Sequence, residues 1–188
     1  MKVAAQCSAN VSSICTWSGV KSSLPAVRQT LTTPIVVSRK RMGTQRLEPP
    51  TGRAVPRLVV PGGMDCAVLE FTRDTVPHEH RHRKLFFYDF RSAIRLNKKE
   101  TTTLAGQVAE KLKLDPSHVK VLVPKQGFSE ADHVHGPLFD PAMNGIFVRK
   151  LKKELNPSVE IREADYHIND AAFARLAAEM MDAMVRQS

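Results

Sequence analysis

Apolar positions along this chain fall into two periods. Four short runs, Arg57 to Val60, Lys84 to Asp89, His118 to Val123 and Val159 to Ala164, are rich in β-branched or aromatic residues and bounded by turn formers, the pattern of strands. Three longer segments, Lys98 to Leu114, Pro141 to Leu155 and Ala171 to Arg186, repeat apolar residues three and four apart. In the last of these, Phe173, Leu176, Ala177, Met180 and Met184 share one face. The punctuation agrees. Asp140-Pro141 sets a capping acid before a proline at the first helical position, and Asn169-Asp170 precedes the final periodic run. Asp115-Pro116 and Asn156-Pro157 stop the first two helices, because proline cannot continue them. Strands that alternate with helices need crossover connections. The expected fold is therefore α/β, a Rossmann-like three-layer arrangement with a mainly parallel sheet of about four strands and helices on both faces.

Charge changes the picture because it is uneven. The formal net charge is +9, yet residues 1–41 hold six Lys or Arg and no acid, which leaves 22 basic against 19 acidic residues beyond them. The remaining Lys and Arg are scattered among acids, so no basic stripe for nucleic acid is expected. The first 41 residues, rich in Ser and Thr and ending Ser38-Arg39-Lys40-Arg41, have the composition of an organelle transit segment, or of a disordered tail ahead of a start at Met42. Residues 42–56, with Gly43 and three prolines, read as a linker, and 57–188 as the domain. Cys66 is the single cysteine of that domain, which excludes a disulfide framework and fits an intracellular compartment. That compartment is mitochondrial or plastid if the leader is an import signal and cytoplasmic otherwise. No run reaches the roughly 20 apolar residues of a membrane span.

In an open parallel sheet, ligands collect beyond the carboxyl ends of the strands. Four stretches qualify: Pro61-Gly62-Gly63-Met64-Asp65, Asp89-Phe90-Arg91 with Arg95 beyond, Pro124 to Ser129 including Gly127, and Asp165 to Asp170. Gly62-Gly63 is either a tight turn with positive φ or a loop whose amides meet an anion; it lacks the Lys-Ser/Thr of a Walker loop and the GxGxxG spacing. Gly127-Phe128-Ser129 lacks the closing glycine of a nucleophile elbow, so Ser129 is expected as a hydrogen-bond donor or loop cap rather than a nucleophile. The cluster His78-Glu79-His80-Arg81-His82 sits among Arg81, Arg83 and Lys84, whose charge opposes a divalent cation, and no metal site is expected there. His133 and His135 belong to a structured loop. His167, beside Asn169 and Asp170 at a helix start, suits phosphate or carboxylate, or else packs over a capped helix.

Arg46-Leu47-Glu48, the run Leu58 to Asp65, Asp74 to Pro77, Gly127 to Ser129, Gly136 to Pro141 and His167-Ile168-Asn169-Asp170-Ala171-Ala172-Phe173 together resemble the ATP-binding domain family of the tomato mosaic virus resistance protein and its bacterial and fungal relatives. The resemblance runs from about Met42 to the C-terminus and is most specific in the closing His-Ile-Asn-Asp block. It departs at Asp89-Phe90, at Arg95-Leu96-Asn97 and in the histidines at 78–82. The resemblance implies the C-terminal one of two α/β subdomains and a nucleotide-binding or regulatory module. Its ligand, ATP with magnesium or another small anion, would meet Gly62, Gly63, Asp65, Arg95, Gly127, Ser129, His167, Asn169 and Asp170. Two alternatives stand beside it. One is an enzyme on a small phosphate- or carboxylate-bearing substrate, with His167 as acid-base and Arg95 as anion clamp. The other is a non-catalytic interaction fragment that forms a homodimer or associates with another α/β half.

Overall fold

The sequence builds its sheet from its most apolar strands. A computed structural model describes residues 47–50 and 54–188, together with a short strand at Thr16–Trp17. That strand is β1. It pairs antiparallel with β2 (Arg57–Val59), and β2 pairs in parallel with β6 (Val119–Pro124), which pairs in parallel with β7 (Glu160–Ala164). The order is β1-β2-β6-β7. Central β6 is buried along almost its whole length, whereas edge strand β7 exposes Glu160, Arg162 and Glu163. Charges on an edge discourage stray pairing.

Three helices complete the layers: α1 (Lys98–Leu112), α2 (Pro141–Glu154) and α3 (Ala171–Gln187). Ala105, Val108, Ala109 and Leu112 of α1 pack with Phe147, Val148 and Leu151 of α2 onto Val59, Val121 and Val123, on one face of the sheet. Phe173, Ala177, Met180 and Met184 of α3 pack onto Leu58, Val60, Leu122 and Ala164, on the other. Residues one apart in a strand point to opposite faces, so Leu58 and Val59 serve different cores. The result is the three-layer, Rossmann-like α/β arrangement expected from the alternation. Among the described residues no helix is long and apolar enough to cross a membrane.

Two features depart from the expected layout. The run Lys84 to Asp89 does form a strand, β4 (Leu85–Phe87), but it lies outside the parallel layer. With β3 (Cys66–Leu69) and β5 (Ser92–Arg95) it makes a separate antiparallel sheet, ordered β3-β5-β4. One face of this sheet covers Ala131 and Leu138 with Cys66, Ala93, Phe86 and Tyr88, and the other buries Leu69, Ile94, Phe71 and Val76. The segment assigned as linker also contributes to the core. Leu47 is buried with the α1 and α2 residues, its carbonyl accepts a 2.6 Å hydrogen bond from Arg57 Nη1, and Glu48 pairs with Lys111 at 3.0 Å. Most of the leader at 1–41, with residues 42–46 and 51–53 of the linker, lies outside the described residues.

Candidate functional site

The loops after β2, β6 and β7 meet at the carboxyl ends of the parallel strands. Gly63 N–H donates to the Phe128 carbonyl at 2.7 Å, and Ile168 N–H to the Gly127 carbonyl at 3.2 Å. Two glycines make this possible. Gly63 holds φ +68, and a Cβ there would meet nothing within 4 Å, so the turn is left-handed and open on its outer side. Gly127 holds φ +141 and has no such space: a Cβ would lie 1.6 Å from the Asp132 carbonyl oxygen and 2.8 Å from the His167 ring.

His167 closes the cluster. Asn169 N–H donates to its Nδ1 at 3.2 Å, which puts the ring proton on Nε2, and Nε2 lies 3.0 Å from the Ser129 carbonyl that accepts it. Both ring nitrogens are thus engaged with backbone. The Asp170 carboxylate turns back to accept His167 N–H at 2.8 Å instead of capping α3 with its side chain. Among the nine candidate residues, Gly62, Gly63, Gly127, Ser129, His167, Asn169 and Asp170 all lie in these three loops. Asn169 and Asp170 are exposed, and Gly63, Ser129 and His167 are partly so.

Asp65 and Arg95 lie beneath the loops, where β3 and β5 begin and end. Arg95, expected beyond a strand-end loop, is a strand residue and buried. Its Nη1 reaches Asp65 Oδ2 at 3.3 Å and Asp132 Oδ1 at 3.1 Å, and its Nη2 donates to the Asp140 carbonyl at 3.0 Å and to Asn144 Oδ1. Ser129 Oγ donates to Asp65 Oδ2 at 2.8 Å. Asp132 is a full acceptor. Its Oδ2 takes Phe128 N–H at 3.0 Å and Asn144 Nδ2 at 2.7 Å, and its Oδ1 takes Asp140 N–H at 3.3 Å besides Arg95.

Two carboxylates around one guanidinium leave an uneven charge. Burial, and then the charge of Asp132, push the Asp65 carboxyl above its usual range, offset in part by the Ser129 hydroxyl and Arg95. Asp65 Oδ1 and Arg95 Nε have no hydrogen-bond partner among the described residues. Burial likewise raises the Cys66 thiol well above its ordinary value, which keeps it protonated and unreactive. The histidines at 78–82 do not assemble: His78 to His80 form a 3₁₀ turn, His80 stacks on Phe71 at 6.2 Å, and His78 and His82 are exposed. Among the described residues no three His, Cys, Asp or Glu side chains come together as a metal ion requires.

Sequence reasoning missed Asp132 and Asn144, the two residues that tie Arg95 to the start of α2. A signal was present in Asn144, a polar residue on the inward face of an amphipathic helix one turn after the capping Asp140. Asp132 carried no signal, because a loop aspartate reads as solvated until its four donors are placed around it.

Comparison with known proteins gives the family context. The profile of the uncharacterised protein family (UPF0261) C-terminal domain matches residues 28–185. The chain is 30% identical over 125 residues to the ToMV resistance protein Tm-1 of Solanum lycopersicum, an alignment covering 65% of this chain and 16% of that protein. It is 26% identical over 148 residues to a UPF0261 protein of Clostridium tetani, covering 77% of this chain and 36% of the relative. A UPF0261 protein of Rhizobium meliloti is 29% identical over 107 residues, 55% of this chain and 27% of its own length. The chain thus spans about a third or less of the curated relatives it matches.

Proposed function

This chain belongs to the UPF0261 family, as a C-terminal domain, and on that premise we propose that it is a nucleotide-binding or regulatory α/β module, with ATP and magnesium as the ligand to test first. The observation that carries the proposal is the pinned set of loops at the carboxyl ends of β2, β6 and β7. Open parallel sheets bind ligands in that position, and here Gly63 leaves its outer side without a side chain. The residues split into two tasks. Gly127, Asp65 and Arg95 hold the platform rigid from below. Gly63, Asn169 and the partly exposed Ser129 form its upper surface, at the positive end of the α3 dipole, where a phosphate is favoured.

No observation favours the acid-base reading of His167, since backbone groups hold both of its nitrogens. Association with another α/β half, or with a second copy, is part of the same proposal, because the chain spans about a third or less of the curated relatives it matches. The test is calorimetric titration of ATP, with and without magnesium, into the full chain and into Gly63→Ala. Saturable binding that weakens at least tenfold in the variant, while thermal unfolding stays cooperative, is the expected result. Equal affinity in both proteins would sink the assignment of the platform as the site.

A further inference from the structure

A cleft of about 220 Å³ lies beside the platform, between α2 and the ends of β6 and β7. Its floor is apolar, made of Val123, Phe128 and Val148. Its rim carries three cations, Lys125, Arg149 and Lys152, against one acid, Glu163. Lys152 is already paired with Glu163, and Lys125 reaches Asp165 only at 3.9 Å. Arg149 forms no ion pair among the described residues.

The shape depends on Gly145, at an interior position of α2. Glycine is among the poorest helix formers, and its φ here is not in the left-handed region, so backbone conformation does not call for it. What the missing side chain supplies is space. A Cβ there would stand 3.1 Å from Arg149 Nη1, so the guanidinium lies folded over the opening that the glycine leaves.

From this cleft we infer a binding site for a small anion with a compact apolar body, such as an aromatic carboxylate or the phosphate monoester of a single ring. The volume suits one ring and its head group, since a cavity of about 150 Å³ already takes benzene. Arg149 supplies a planar donor fork that matches a carboxylate or a phosphate, Lys125 adds a second charge, and the floor takes the ring. The site adjoins the nucleotide platform and shares with it the loop after β6, through Lys125 and Phe128. It touches the buried network through Asn144, which lines the cleft and bonds to both Arg95 and Asp132.

The experiment is amide-resolved NMR titration of the full chain with benzoate, phenyl phosphate, inorganic phosphate and neutral phenol. Saturable shifts at Lys125, Gly145 and Val148 with benzoate or phenyl phosphate are expected, the stronger of the two identifying the head group. Inorganic phosphate and phenol should bind at least tenfold more weakly. Arg149→Ala should weaken binding at least tenfold and Gly145→Leu should abolish it, with both variants as stable as the parent, because the leucine displaces only the mobile end of Arg149 and improves helix propensity. Absence of shifts at these three amides, equal shifts with all four probes, or unchanged binding in Arg149→Ala would each overturn the inference.

Discussion

Asp65 and Asp132 sit on the same guanidinium, yet an amide should be tolerated at one and not at the other. Every acceptor site used on Asp132 faces a donor, two of them backbone N–H groups, so Asp132→Asn sets an NH₂ against donors. A loss of about 2–4 kcal/mol in denaturant unfolding is expected. Asp65 receives Ser129 and Arg95, both on Oδ2, so Asp65→Asn can keep those contacts and should lose far less. Asp65 also brings a pH dependence. A carboxyl raised in the folded state binds its proton more tightly there than in the unfolded chain, whose value is about 3.9. Its contribution to stability is therefore complete below that value and declines as pH rises through the raised one. Stability measured upward from pH 4 should show this decline in the parent and not in Asp65→Asn; an identical profile in the two would remove Asp65 as its source. Glycines offer a matching contrast. Gly127→Ala, with its Cβ on the Asp132 carbonyl, should cost more than about 3 kcal/mol, whereas Gly63→Ala carries only the strain of a left-handed residue, about 1–2 kcal/mol. The sequence marked both glycines as candidates for ligand contact. It could not separate the one that faces open space from the one pressed against backbone, because that distinction depends on where residues 132 and 167 return to it.

At the scale of elements, local signals carried most of the information. The three helices begin at the expected residues and end within two of the expected positions, because caps and prolines act on their immediate neighbours. Asn97 shows how: its side chain accepts from Glu100 N–H at 3.0 Å, and the Glu100 carboxylate accepts from Asn97 N–H at 2.8 Å, a reciprocal box at the start of α1. Asn97→Ala should lower stability by about 1 kcal/mol in thermal or chemical unfolding. Asp170→Ala should cost α3 less, since that side chain bonds to the preceding loop and not to the helix; a larger loss at Asp170 than at Asn97 would contradict this account. Strands were legible as runs but not as partners. Cys66-Ala67-Val68-Leu69 is apolar throughout and Ser92-Ala93-Ile94-Arg95 mixes small, apolar and charged residues; at four residues each, both are too short for alternation to register. Lys84 to Asp89 announced a strand correctly, yet its assignment to the parallel layer failed because pairing is decided by segments distant in sequence, and its partner β5 had not been recognised.

Across the whole molecule, two sheets with separate cores are joined by polar contacts and by apolar packing at Ala131 and Leu138. Arg95 is the main tie. It leaves the antiparallel sheet at the end of β5 and bonds to Asp132, Asn144 and the Asp140 carbonyl, all on the α2 side of the α/β layer. Lys84, paired with Asp140 at 3.3 Å, and Arg83, paired with Glu100, support it from nearer the surface, where solvent weakens such pairs. Removing the Arg95 side chain leaves two buried carboxylates without their cation, at a cost of about 3–5 kcal/mol. The distribution of that cost distinguishes a joint from an ordinary core residue. In Arg95→Met the amides of β3 and β5 should exchange with solvent much faster than in the parent, while those of β6, held between β2 and β7 with helices on both faces, should slow or quicken only with global stability. Hydrogen exchange read residue by residue therefore decides the matter. Selective loss of protection in the antiparallel sheet would identify Arg95 as the coupling between the layer that forms the platform and the sheet that supports it from below. A uniform loss across both sheets would mean that the two cores are already joined by apolar contact through Ala131 and Leu138, and that Arg95 contributes no more than its own burial.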